Sequence, residues 1–258
     1  MITSVSNAKI KNVMQLNQKA KARREQGLFV AEGRKMFLEA PREQLQEVYV
    51  SESFLEKCSC REHLGEVGYE VVSDSVFSKI SDTCTPQGVL CVLKQFHYNI
   101  EEMLRDKAPL FLLLENIQDP GNLGTMLRTG EGAGVSGIIM SRDTVDLYNP
   151  KVIRSTMGSI YRVPFYYADD FAAAVHQVQQ AGVSVYAAHL RGKNSYACQD
   201  YTKGTAFLIG NEGNGLREET AELADCYIRI PMEGKVESLN AAVASSILMY
   251  EAHRQRAT

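Results

Sequence analysis

Apolar positions along the chain follow two periods, and the switches between them predict most of its elements. Residues 7–26 set Ile10, Val13, Met14 and Leu16 among Lys, Arg and Gln, a spacing of three and four that gives a helix one apolar face. Asn7 can cap the start of that helix and Gly27 can end it. Short β-rich runs then alternate with helical ones: LFVA with GRKMFLEA, QEVYVS with ESFLEKCSCREHL, YEVVS with DSVFSKIS, and GVLCVL to close. This predicts a small α/β unit over residues 1–94. The polar stretch KQFHYNIEEMLRDKAP breaks the alternation and predicts a linker over residues 95–108, with room for a short helix.

A second α/β unit is expected over residues 109–258. Its strands are LFLLLE, GIIMS, VPFYY, VSVYAAH, TAFLIG and CYIRIP, mostly unbroken apolar runs. Strands buried on both faces read this way, so the sheet is expected to be parallel with helices on each side. A last helix is expected from Leu239 to about Arg254, with Ser238 available as its N-cap.

Charge changes the picture more than composition does. The formal net charge of −3 conceals +6 over residues 1–42 and −9 over the rest. A basic arm suits a polyanion, with Lys9, Lys11, Lys19, Lys21, Arg23 and Arg24 as phosphate ligands, whereas the bland alternative is a basic helix that is merely solvated. The opening MITSVSNAKIK lacks an apolar core, and the longest apolar run, Leu110 to Leu114, is too short to cross a membrane. A cytoplasmic location and no membrane partner are therefore expected. None of the six cysteines forms a C-x-x-C pair, and the C-x-C of Cys58 and Cys60 has no second cluster, so reduced thiols and no metal site are expected.

Candidate chemistry concentrates where parallel sheets bind ligands, at the carboxyl ends of strands. GAGVSG, Gly132 to Gly137, spells a dinucleotide fingerprint, but it follows a predicted helix and precedes a strand, the reverse of the required order. A helix end with a tight return is the expectation there. FLIGNEGNGL, Phe207 to Leu216, interleaves three glycines with Asn and Glu after a strand, which suits a loop open to close main-chain approach or else a plain flexible connection. In LLLENIQDPGNLGTMLRT, Asn122 and Arg128 lie six apart on a predicted helix; Arg128 is a ready phosphate clamp, or a structural partner for a nearby Glu. VIRSTMGSIYRVP carries Arg154, and IPMEGKVESLNAAVASS delivers Ser238 and Asn240 at a helix start, where backbone N–H groups favour an anion.

Three of these segments in order, NLGTMLRT, FLIGNEGNGL and IPMEGKVESLNAAVASS, resemble the signature motifs of the SpoU/TrmH family of RNA 2′-O-ribose methyltransferases in the SPOUT superfamily. The N-terminal part, from SNAKIKNVMQLNQ to KMFLEA, resembles the substrate-binding domain of that family, itself similar to small ribosomal RNA-binding proteins. The resemblance implies a deep trefoil knot in the C-terminal domain with S-adenosylmethionine held in it, against Gly210, Asn211, Ile230, Met232, Leu239 and Ala188. It implies catalytic roles for Asn122, Arg128, Glu212, Ser238 and Asn240, RNA contacts from the basic helix and Arg154, and a homodimer in which Arg128 or Arg154 acts across the interface. Structured RNA is the implied substrate, large-subunit ribosomal RNA ahead of transfer RNA. One departure stands out: where the third motif often reads S-L-N-x-S, this chain has Ala242 at the last position. A rival reading, an RNA-binding assembly factor without activity, has no use for Asn122, Arg128, Glu212 and Asn240 together.

Overall fold

The computed structural model describes residues 1–57, 61–235 and 238–257, so Cys58 and Cys60 lie outside the described residues. The chain divides into two compact units, residues 1–96 with 146–161, and residues 97–145 with 162–258. Linear reading leaves Asp146–Tyr161 with the second half of the chain, whereas by its contacts this segment packs with the first.

The first unit begins with α1 (Ala8–Gln18) and α2 (Ala20–Gln26). It continues through β1 (Leu28–Glu32), α3 (Arg34–Glu39), β2 (Leu45–Ser51), α4 (Glu52–Lys57), α5 (Arg61–Val67), β3 (Glu70–Val72), α6 (Asp74–Ile80) and β4 (Val89–Lys94). The single helix expected over 7–26 is two, because Lys19 is extended at φ −123° and ψ 112°. Its outer ends are as expected: the Asn7 side chain accepts from Lys9 N–H, and Gly27 closes α2 at φ 63°. The strand order is β1-β4-β2-β3, antiparallel except for the parallel β2·β3 pair. Ile10, Val13 and Leu16 are buried with Val30, Tyr49, Phe77 and Leu90, which is the work of the apolar stripe on α1.

Numbering along the rest of the chain, the second unit contains α7 (Ile100–Met103), β5 (Leu110–Leu114), α8 (Pro120–Ala133) and β6 (Gly137–Ser141). The inserted segment supplies α9 (Pro150–Thr156) to the first unit. There follow β7 (Phe165–Ala168), α10 (Phe171–Gln180), β8 (Ser184–Ala188), the two-residue β9 (Asn194–Ser195), β10 (Thr205–Ile209), α11 (Glu218–Ala221), β11 (Cys226–Arg229) and α12 (Ala241–Arg256). The seven strands lie in the order β7-β6-β5-β10-β8-β11-β9, and every recorded pairing is parallel. β5, β6 and β10 are buried along their whole length, as their unbroken apolar sequences require. Because the strands are parallel, the ends of β5, β10, β8 and β11 all open on one edge of the sheet.

Among the described residues no helix is long and apolar enough to cross a membrane. GAGVSG does end α8: Gly134 takes φ 76° and its N–H reaches the carbonyls of Glu131 and Gly130 before β6 begins.

Candidate active site

Four segments meet at the carboxyl edge of the parallel sheet. β5 runs into the loop 115–119, which opens α8. Asp119 caps that helix, its side chain accepting from Asn122 N–H at 2.8 Å, and Pro120 takes a first-turn position where no N–H is missed. β10 runs into the glycine-rich loop, and β11 leads through residues 230–235 toward α12. Ala188, Gly210 and Ile230 stand at or just beyond the ends of β8, β10 and β11, which are neighbours in the sheet.

The glycine-rich loop is shaped mainly by its own chain. A Cβ on Gly210 would overlap the backbone of Gly215 and Leu216, and Gly215 sits at φ 70°. Asn211 and Gly215 exchange both main-chain hydrogen bonds, at 3.0 and 2.9 Å. The Asn211 side chain accepts from Gly213 N–H and Asn214 N–H and donates to the Asn116 carbonyl at 2.8 Å. The Asn211 side chain is thus engaged within the protein, where it shapes the loop that follows Gly210.

Glu212 is where the three motifs join. Its carboxylate accepts from Gln118 N–H at 3.1 Å, Asp119 N–H at 3.0 Å and Asn122 Nδ2 at 2.9 Å. Asn122 Oδ1 in turn accepts from Asn240 Nδ2 at 3.0 Å, and Asn240 Oδ1 accepts from Ala242 N–H and Val243 N–H. Burial is the largest influence on the Glu212 carboxyl and pushes its pKa up. The Asn122 amide and the N–H groups of Gln118 and Asp119 together outweigh it and hold the group below its ordinary value. The structure therefore assembles Glu212, Asn122 and Asn240, which the sequence places 90 and 118 positions apart.

The other predicted site residues divide. Arg128 is exposed on α8 and makes no hydrogen bond or ion pair among the described residues, so the structural alternative of an ion pair with Glu is not what is seen. Asn240, not Ser238, caps α12, which starts two residues later than expected; Ser238 is exposed and makes no hydrogen bond among the described residues. Ala242 is 3% exposed in the first turn of α12. The N–H groups of Ile230, Met232 and Leu239 donate to nothing among the described residues, and all three residues are half-buried. Half-buried donors left open by the protein are what an adenine or carboxylate ligand can use, so this edge fits S-adenosylmethionine.

Of the basic residues, Lys11, Lys19 and Arg24 are exposed and form no ion pair among the described residues. Lys9 pairs with Glu70 at 2.6 Å and Lys21 with Glu25 at 3.7 Å. Arg23 differs from its neighbours: it is 3% exposed, and four of its five N–H groups are engaged by Asp146, at 2.7 Å, and by the carbonyls of Leu16 and Asn17, so the fold holds it in a structural role. Arg154 belongs to the first unit, where it holds Asp82 at 3.1 Å. Sequence reasoning did not single out Asp119, although Asp-Pro before a helix is a readable start signal, nor Gln118, whose contribution is a main-chain N–H that no side-chain pattern reveals.

Comparison with known proteins agrees with this geometry. The SpoU rRNA methylase family matches residues 109–250, and the MRM3-like substrate binding domain matches residues 7–91. The chain is 33% identical over 252 residues to the 23S rRNA (guanosine(2553)-2′-O)-methyltransferase RlmP of Bacillus subtilis, covering 96% of this chain and 97% of that protein. It is 34% identical over 181 residues to the 23S rRNA (guanosine-2′-O-)-methyltransferase RlmB of Ralstonia nicotianae, covering 69% and 73%. Among solved structures, an AdoMet-bound rRNA methyltransferase from Sinorhizobium meliloti matches with a TM-score of 0.85 at 32% identity over 98% of this chain and 97% of that one. The SpoU methyltransferase AviRb from Streptomyces viridochromogenes, in complex with AdoMet, matches with a TM-score of 0.87 at 26% identity over 98% and 99%. With a family model over residues 109–250 and a relative 33% identical over 96% of its length, the chain belongs to the SpoU rRNA methylase family.

Proposed function

We propose that this protein transfers a methyl group from S-adenosylmethionine to a ribose 2′-hydroxyl of ribosomal RNA. The observation that carries the reading is the hydrogen-bonded chain Glu212, Asn122, Asn240, which ties the three motifs together on the helix that presents an unpaired Arg128. Support for ribosomal RNA comes from the relatives named for that substrate, RlmP and RlmB.

S-adenosylmethionine, when bound, supplies an electrophilic methyl on a positively charged sulfur. The protein's task is then to place a hydroxyl in line with it, a contribution on the order of 7–11 kcal/mol in well-oriented systems. Arg128 has its donors free for the phosphate beside the target ribose and for the alkoxide that develops as the hydroxyl loses its proton to water at this exposed position. A guanidinium with a pKa above about 12 is a poor base, so this electrostatic role suits it better than proton removal. Glu212 holds Asn122, and Asn122 and Asn240 lock the start of α8 to the start of α12. Gly210 and the open donors of Ile230, Met232 and Leu239 line the cofactor edge, with Ala188 at the end of the neighbouring strand.

Lys11, Lys19 and Arg24 contact RNA phosphates. The deep trefoil knot implied by the family and a homodimer complete the proposal. Support for the dimer is the apolar surface of α12, where Val243 is 48% and Tyr250 49% exposed; a second copy would cover it, and sedimentation would report the doubled mass.

The test is transfer of radiolabelled methyl to RNA from cells lacking the protein, wild type beside Arg128→Ala. Label in alkali-resistant ribose, lost in the variant, is the expected result. Label on a base would overturn the hydroxyl as acceptor, and absence of both label and cofactor binding would leave an inactive RNA binder.

A further inference from the structure

We propose that Asn116 is a positioning residue for methyl transfer, acting through Glu212; in its kinetic consequences this rests on the function proposed above. Asn116 is at φ 55°, one of two non-glycine residues with positive φ among those described. Asparagine tolerates that region better than most residues, yet a position held there has to be fixed by its surroundings. Asn116 is so fixed on three sides. Its N–H donates to Ser141 Oγ at 2.8 Å, its carbonyl accepts from Asn211 Nδ2 at 2.8 Å, and its Oδ1 accepts from Gln118 Nε2 at 2.6 Å.

These bonds reach both halves of the Glu212 cradle. On one side, the left-handed turn at 116 sets the direction of the next residues, and Gln118 and Asp119 supply the two main-chain donors to the carboxylate. Gln118 is further steadied by its amide on the Asp143 carbonyl at 2.6 Å, and Ile117 by its carbonyl accepting from Val145 N–H at 2.8 Å. On the other side, Asn211 is the residue next to Glu212, and its amide is anchored on Asn116. One residue therefore orients the donors toward the acceptor and the acceptor toward the donors. If the turn relaxed to negative φ, Glu212 would lose its aligned N–H groups, and Asn122, which it holds, would be free to leave Asn240.

The position divides backbone from side-chain effects cleanly. Asn116→Gly keeps access to φ 55° and both main-chain bonds, losing only Oδ1, whereas Asn116→Ala makes the conformation unfavourable. The measurements are kcat, KM for S-adenosylmethionine and for RNA, and hydrogen exchange at the amides of Gln118 and Asp119 in the protein alone. Asn116→Ala should lower kcat on the order of 10²-fold, the effect of a misplacement of about 1 Å, with each KM nearly unchanged and faster exchange at both amides. Asn116→Gly should restore slow exchange and most of kcat. Wild-type exchange in Asn116→Ala, a glycine variant as impaired as the alanine one, or a raised KM at unchanged kcat would each overturn the proposal. If wild type methylates no RNA, the functional reading fails by itself, and the exchange comparison still decides whether Asn116 orients the cradle. Should Asn116→Ala not fold, Ser141→Ala removes the acceptor of the Asn116 N–H; it should show the same pattern in smaller degree, and wild-type exchange there would count against the proposal.

Discussion

Arg23 and Arg24 are adjacent in sequence and opposite in circumstance. Arg23 donates through Nε and Nη2 to Asp146 and through Nη1 to Leu16 and Asn17 carbonyls, while Arg24 is exposed and unpaired among the described residues. Removing one member of a buried pair leaves the other charge uncompensated, typically at a cost of 3–5 kcal/mol. Asp146 keeps a side-chain exposure of 23%, which places Arg23→Ala near the lower end, about 3 kcal/mol, a fall in Tm on the order of 10 °C. Arg24→Ala should leave thermal unfolding unchanged and weaken RNA binding instead. Nothing local in ARREQ separates the two, because the partner that buries Arg23 lies 123 positions away. Glu212 gives a second test at this scale. Its folded pKa is depressed, so its contribution to stability is present above the ordinary value of 4.5 and is lost as pH falls through the lower folded value. Glu212→Gln should remove that part of the acid dependence, seen as a smaller drop in Tm between neutral and acid pH than in wild type; an equal drop would assign the dependence to other carboxyls.

Helix ends show what sequence can and cannot settle. Ser238 and Asn240 are both good N-caps two residues apart, and local pattern favours neither. Asn240 wins by making two bonds to the helix start and a third to Asn122. Asn240→Ala should therefore cost about 1 kcal/mol as a cap and lower kcat as well, whereas Ser238→Ala should leave stability unchanged; chemical denaturation checks both. The break at Lys19 is less visible still, since no Gly or Pro marks it. A side chain one helix on stabilises it: Arg23 supplies donors to the carbonyls of Leu16 and Asn17 that the end of α1 leaves open. Strands and strong stops were readable because their signals are local, the unbroken apolar runs of β5, β6 and β10 and the glycine at 134. The Glu212 cradle was readable only in part. Its acid and amides stand out as residue types, but two of its three donors are main-chain groups aimed by a turn at Asn116.

At the scale of the molecule, the charge asymmetry of +6 over residues 1–42 was plain in the sequence, but its available part was not. Of the six cations on α1, α2 and the residue between them, ion pairs claim Lys9 and Lys21, burial claims Arg23, and Lys11, Lys19 and Arg24 remain. Nor did the sequence show that Asp146–Tyr161, inside the span matched by the methylase family, packs with the first unit, because packing partners so far apart leave no periodic trace. The available cations bear on how RNA would be held. A cation that contacts a phosphate releases condensed counterions, so the logarithm of affinity falls with the logarithm of salt concentration by about 0.7–0.9 per contact. The variant with Lys11, Lys19 and Arg24 all changed to Ala should therefore have a slope shallower by roughly 2–3 than wild type, with thermal unfolding unaltered because none of the three is paired in the fold. Changing Lys9 and Lys21 instead should move the slope less, since Glu70 and Glu25 already offset part of their charge. Filter binding across a salt series measures both. An unchanged slope in the triple variant would mean that these cations only solvate their helices, and that phosphate contacts must come from elsewhere in the chain.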